Sequence, residues 1–255
     1  MTDVHMVATS NAADLGLRAL ADLAAAADGI EYRVVGGHMV HVLGQVYPTP
    51  SATARTTADA DAGIDTVIAA SNDLHERLLQ IGYTAVSGNR YEAPSGDTDP
   101  LAVDLLIPSG SSRLQESVPH GDRAFDAIPG LSLALAADPL DVRIHATLHS
   151  GVTLTFDIPV PDVEPAVVLK ALAWNNRHAP RDVADLCSLF AIVHEHQLHK
   201  DRWKLTTAKG GTRLDTARAL HSLVAMIDRE QPIEGLTMPA PRLAALIRAY
   251  VGEPG

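Results

Sequence analysis

The spacing of apolar residues changes along this chain, and each change predicts an element. Residues 11–28 place Leu15, Leu17, Leu20 and Leu23 at helical spacing, with Gly29 as the stop. EYRVVGG, residues 31–37, predicts a short strand running into paired glycines, and HMVHVLGQV predicts a short helix directly after Gly37. Pro48 and Pro50 mark a loop over 47–56. TADADA, residues 57–62, alternates with the period of a strand and puts Thr57, Asp59 and Asp61 on one face. A helix over 66–82 carries Ile68, Leu74, Leu78, Leu79 and Ile81 as its apolar stripe. TAVSGNRYE and LAVDLLIP then predict a hairpin turning at APSGDTDP, and LSLALAA, VRIHATLH and VTLTFDI predict three more strands. Near Pro165 the period becomes helical, over 165–176, 181–196, 213–228 and 240–251. The expected fold class is α+β: a mixed sheet flanked by helices in residues 1–162, then a helical C-terminal domain in 163–255, with the boundary in PVPDVEP.

Composition fits that picture. The chain has 255 residues, 46% hydrophobic and 20% charged, which excludes a disordered chain, and its 4% aromatic content leaves Leu, Val, Ile and Ala to build the core. One cysteine, Cys187, excludes an internal disulfide framework, and its place between Leu186 and Leu189 predicts a buried thiol. Neither a signal-like N-terminus nor an apolar run of roughly 18 residues is visible, so a soluble, cytoplasmic protein with no membrane partner is expected. Charge adds an asymmetry. Residues 1–164 carry 8 Arg and no Lys against 22 acids, net −14, whereas residues 165–255 carry 12 basic residues against 9 acids, net +3, giving the overall −11. Five of those basic residues, Lys200, Arg202, Lys204, Lys209 and Arg213, crowd one segment beside Asp201. An acidic half suited to metal and a basic half able to meet phosphate is one interpretation of this division, and a solvated basic loop is the other.

Candidate chemistry lies in the order of three features. A strand ends in Gly36-Gly37 and opens a helix, where glycine lets the backbone approach a phosphate and the helix N-terminus favours its charge. The next strand carries Arg55, Thr57, Asp59 and Asp61 as R-x-T-x-D-x-D, with the two aspartates about 6–7 Å apart on one face. Like charges held that close repel unless a cation lies between them, and hard oxygen ligands suit Mg²⁺ or Mn²⁺. A later strand carries Asp104 between Val103 and Leu105, a costly place for a carboxylate unless it is paired or metal-bound. Three carboxylates on neighbouring strands are what two-metal phosphoryl chemistry requires, and Arg55 and Thr57 would bond phosphate oxygens at its edge. T-x-D-x-D alone is also consistent with an exposed edge strand, with Asp104 paired to an arginine.

Gly36-Gly37, the Arg55–Asp61 run and Asp104 resemble the signature of the DNA polymerase β-like nucleotidyltransferase superfamily. The stretch Lys170-Ala-Leu-Ala-Trp-Asn-Asn-Arg177-His-Ala-Pro-Arg181-Asp182-Val-Ala-Asp185-Leu186 resembles the helical K…R…(K/R)D…DL segment of the AbiEii family, which includes type IV toxin–antitoxin toxins and the mycobacterial MenT toxins. Together the matches cover roughly residues 30–195. The resemblance implies a nucleotidyltransferase fold with its active site between the two domains. Asp59 and Asp61 would be the metal pair, and Asp104 a third ligand assisting as base. Gly36, Gly37 and Thr57 would hold phosphates. Lys170 would reach the triphosphate beside Arg177, and Asp182 or Asp185 would orient it or line the site. It also implies transfer of a nucleoside monophosphate from an NTP to an acceptor hydroxyl, with the 3′ end of tRNA as acceptor and a cognate antitoxin as partner, and the basic residues of 200–213, outside the resemblance, are the candidate contacts to the acceptor's phosphates. Without the resemblance, Lys170, Arg177, Asp182 and Asp185 predict a salt-bridge network between helices. Other readings of the same residues are an enzyme modifying an aminoglycoside-like small molecule or a protein, and a non-catalytic nucleotide- or partner-binding regulator.

The remaining signals are weaker. His194, His196 and His199 do not share a helix face as zinc ligands must, and they predict a solvated helix end. His38 and His41 follow the glycines closely enough for His38 to touch a phosphate or base, or to be an ordinary helix residue. Trp174 and Trp203 flank basic residues, with core packing expected of Trp174.

Overall fold

A strand that the hydrophobic pattern leaves unmarked begins the chain: β1 (Thr2–Val7) buries Val4 and Met6 and exposes its other residues. The computed structural model describes residues 1–53, 56–200 and 202–254. Ser10 caps α1 (Asn11–Ala26), its hydroxyl accepting from the Ala13 N–H, and Leu15, Leu17, Leu20 and Leu23 form the buried stripe that their spacing predicts. There follow β2 (Tyr32–Val34), α2 (Gly36–Val46) and β3 (Asp59–Ile64). The helix expected over 66–82 is two helices, α3 (Thr66–Ser71) and α4 (Asp73–Gln80), because Asn72 takes a left-handed conformation at φ 62° between them. TAVSGNRYE is a hairpin by itself, β4 (Thr84–Ser87) and β5 (Arg90–Ala93), and β5 turns again into β6 (Leu101–Pro108). A second hairpin, β7 (Gln115–His120) and β8 (Arg123–Ile128), occupies a stretch without a sequence signal. LSLALAA, expected as a strand, is the helix α5 (Leu131–Ala136), since leucine and alanine favour helix where no β-branched residue opposes it. The strands β9 (Leu140–Thr147) and β10 (Thr153–Val160) follow, then α6 (Val163–Arg177), α7 (Pro180–Glu195), α8 (Gly211–Asp228) and α9 (Ala240–Tyr250).

The fold is α+β, with two sheets flanked by helices. The larger sheet is mixed, in the order β2-β3-β6-β5-β4, with β6 also pairing β8 in parallel along its second half and β7 outside β8. The smaller is β1-β9-β10, with β1 parallel to β9. One apolar core joins both sheets with α1 and α4. The second is built from α6 to α9, but it also takes Met39, Val40 and Leu43 from α2 and Leu131 and Ala134 from α5. Helix α2 thus packs on the C-terminal helices while its first turn faces β3. Trp174 and Cys187 are buried in this second core. Among the described residues no helix is long and apolar enough to cross a membrane.

Candidate active site

The two aspartates of β3 face the same way because side chains alternate along a strand, while Ala60 and Ala62 point into the core beneath α1 and are fully buried. Strand β6 lies parallel to β3 in a register that sets Asp104 beside Asp61. One carboxylate oxygen from each of Asp59, Asp61 and Asp104 lies within 4.8 Å of the others, and this is the single such cluster among the described residues. Its electrostatics follow from crowding. Burial pushes the Asp61 carboxyl up to about 7, reinforced by the charges of Asp59 and Asp104 and opposed by Lys170 and Arg177. Burial likewise lifts Asp104 to about 6, against the pull of Arg90. Three acids with this little compensation favour a cation.

Across from them begins α2. Gly36 has φ 67°, and a Cβ there would lie 1.8 Å from Asp61 Oδ2, so no other residue fits. The helix lacks a side-chain cap, and its first N–H groups have no intrahelical acceptor, leaving a donor-rich N-terminus beside the acids. The Val35 N–H donates to the Asp61 carbonyl oxygen at 3.0 Å and ties this corner to β3. Thr57 is buried, and its hydroxyl has no hydrogen-bond partner among the described residues while it lines the cleft. Arg55 lies outside the described residues.

The facing wall is one stripe of α6. Leu169, Lys170, Ala173, Asn176 and Arg177 fall at helical spacing and line the cleft together with Arg181 of α7. The cavity so enclosed measures about 150 Å³. Lys170 is buried, 2.7 Å from Asp185 and 3.8 Å from Asp182, and Arg177 meets Asp182 through two bonds of 2.7 Å. Asp182 and Asp185 are both buried behind this wall and hold its cations in place without lining the cleft. The interhelical salt-bridge network is therefore present, and its two cations also face the triad.

Several important residues escape the sequence. Arg90 of β5 sits opposite Asp104 and bonds it at 2.9 Å, and it bonds Glu92 at 2.8 Å. The arginine partner expected if Asp104 were merely paired thus exists beside the three-carboxylate cluster. Nothing in the turn-flanked NRYE marks it, because the contact spans 14 residues and depends on strand register. Asn176 is visible only as one more position within the helical segment, and Arg181 only as the basic residue before Asp182 in the quoted motif. His38 does not line the cleft: it is buried behind β3 with Nδ1 3.1 Å from the Asp59 carbonyl oxygen. His194 and His196 bond the Tyr250 hydroxyl and the Pro48 carbonyl, and Trp203 donates to the Tyr250 carbonyl. In the basic segment, Arg213 bonds the buried Glu164 at 2.7 Å and the Lys204 N–H bonds it too, while the side chains of Lys204 and Lys209 stand in solvent. Glu164 lies thirteen residues before Arg177 on α6, so this segment docks at the far end of the helix, about 20 Å along it.

No family model matches the chain, and no curated protein matches it. Among solved structures, an antigenic nucleotidyltransferase-like protein from Paracoccidioides brasiliensis is similar over 94% of each chain, at 13% identity and a TM-score of 0.48.

Proposed function

We propose that the protein is a metal-dependent nucleotidyltransferase, moving a nucleoside monophosphate from an NTP to an acceptor hydroxyl and releasing pyrophosphate. The observation that carries this reading is the convergence of Asp59, Asp61 and Asp104 within 4.8 Å, facing a glycine-opened helix start and the cations of α6. Mg²⁺ or Mn²⁺ fits the residues present. The donors are hard carboxylate oxygens, burial and then the charges of Asp59 and Asp104 raise Asp61 to about 7, and Gly36 lets the Asp61 carboxylate occupy the space a Cβ would take. Bound there, the metal supplies neutralisation of the triphosphate and activation of the attacking hydroxyl.

The chain's own groups do the rest. Lys170 and Arg177, held by Asp185 and Asp182, meet the phosphate oxygens, and Thr57 and the first N–H groups of α2 bond them from the other side. Asp104 accepts the proton as the acceptor oxygen bonds the α-phosphorus and the bond to the β-phosphate breaks. The acceptor we infer is the 3′ end of tRNA, in a toxin-type enzyme restrained by an antitoxin. The AbiEii resemblance and the exposed Lys204 and Lys209 support it. A cationic small molecule is the second reading, supported by Glu92 and Asp126, which lie on the triad's face of the sheet by register.

The test incubates each NTP, labelled at the α-phosphate, with Mg²⁺ or Mn²⁺ and total tRNA. Label on RNA that disappears in Asp59→Ala/Asp61→Ala supports the full reading. Pyrophosphate release without labelled RNA moves the acceptor to small molecules or proteins. No release with any NTP defeats the enzyme.

A further inference from the structure

The cleft has a second half that the chemistry above does not use. Beyond Lys170 and Arg177 its lining turns apolar: Leu169 and Ala173 from α6 on one side, and Leu106, Leu114, Ile128 and Pro129 on the other. Leu114 is 37% exposed and lines this part of the cleft. It ends the 109–114 loop between β6 and β7, and that loop is closed on itself. Ser109 donates its hydroxyl to the Arg113 carbonyl at 2.8 Å and accepts from the Ser111 N–H, and Ser111 accepts from the Arg113 N–H.

Asn176 fastens the loop to α6. Its Oδ1 accepts from the Leu114 N–H at 2.9 Å, and its Nδ2 donates to the Ser112 carbonyl at 3.0 Å and to the Leu172 carbonyl at 2.7 Å. An amide has two N–H donors, so both are used within the protein. Asn176 is also the one polar side chain on the apolar half among the described lining residues. An apolar slot therefore lies beside the cationic wall, and the one polar side chain there has both of its N–H donors committed to holding the slot's own wall.

Resting on the nucleotidyltransferase reading, we propose that this half is a nucleobase slot that grips the base by its faces and does not read its edge, with Asn176 as the positioning residue that fixes the loop carrying Leu114. Apolar contact discriminates weakly between ligands of similar shape, whereas a site that hydrogen-bonds a ligand group rejects analogues lacking it by about 10⁴-fold or more. The four NTPs should therefore bind within about tenfold of one another.

The test is calorimetric titration of the full chain in Mn²⁺ with ATP, GTP, CTP and UTP, and with inorganic tripolyphosphate as the probe lacking a nucleoside. Wild type is compared with Asn176→Ala and Leu114→Ala, the second of which removes a partly exposed side chain and no hydrogen bond. The expected result is similar affinity for all four NTPs, a loss of about tenfold for each in both variants, and unchanged tripolyphosphate binding, which also shows the variants are folded. One NTP preferred by a hundredfold or more overturns the slot as a non-reading site. Unchanged NTP binding in both variants, or equal loss for tripolyphosphate, overturns its location. A wild type that binds neither NTP nor tripolyphosphate with Mn²⁺ overturns the nucleotidyltransferase reading itself.

Discussion

The two walls of the cleft treat charge in opposite ways. On the sheet wall Asp59, Asp61 and Asp104 crowd together with Arg90 as counter-ion to one of them, and Asp61 is driven up to about 7. On the helical wall the two cations of α6 each have an acid at hydrogen-bonding distance: Lys170 with Asp185, Arg177 with Asp182. Both walls are rich in ionised groups, but the cations of α6 are each paired within the protein, whereas Arg90 is bonded to only one of the three carboxylates on the sheet wall. Buried charge without a partner is costly, and a fold keeps it where a ligand supplies the partner. The balanced wall shows the complementary device, in which acids behind the surface fix the position of cations that face the ligand.

The contrast predicts opposite responses to removal of a carboxylate. Asp61→Asn should lower nucleotidyl transfer by about 10³-fold while raising the melting temperature of the metal-free protein, because it removes a buried charge and its repulsion with Asp59 and Asp104; a scan of both quantities checks it. Asp185→Ala should instead destabilise the fold by roughly 3–5 kcal/mol, because Lys170 is left buried without its nearest partner; denaturant midpoints check this, and Lys170→Met/Asp185→Leu should recover most of the loss without recovering activity. Mn²⁺ at about 100 times its dissociation constant should stabilise wild type by about 2.7 kcal/mol and leave Asp59→Ala/Asp61→Ala unmoved, as thermal shift would show.

A smaller effect follows from pH. Asp61 titrates near 7 in the folded chain and at the ordinary 3.8 when unfolded, so the folded state holds the extra proton between those values. Its contribution to stability is full below 3.8 and is lost as pH rises through 7. Without divalent ions the melting temperature should fall as pH rises from 3.8 to about 7, and Asp61→Asn should flatten that slope. Smallest of all, Lys204→Glu/Lys209→Glu should leave NTP binding unchanged and weaken only tRNA binding, since these side chains stand in solvent on the segment docked at the far end of α6.

What the sequence revealed and what it hid divide along physical lines. Period and caps made α1, α2, β3 and the four C-terminal helices visible, because each buries one face against a core. Strand β7 stayed hidden because it is an exposed edge with Pro119 in it and no buried alternation to display. LSLALAA misled because its alternating leucines mimic a strand while Gly130, at φ 86°, starts a helix in front of them. The acids of the triad were visible as sequence neighbours and as an acid in an apolar strand. Their convergence with Arg90, and the fastening of the 109–114 loop by Asn176, come from register and packing between distant segments. Such pairings leave no local pattern.

The most direct test is Mn²⁺ binding followed by electron paramagnetic resonance, with and without a non-hydrolysable NTP, in wild type and Asp59→Ala/Asp61→Ala. A triad built to be completed by a cation predicts bound Mn²⁺ in wild type, tightened by the nucleotide, and none in the variant. Equal binding by both proteins, or by neither, would contradict it.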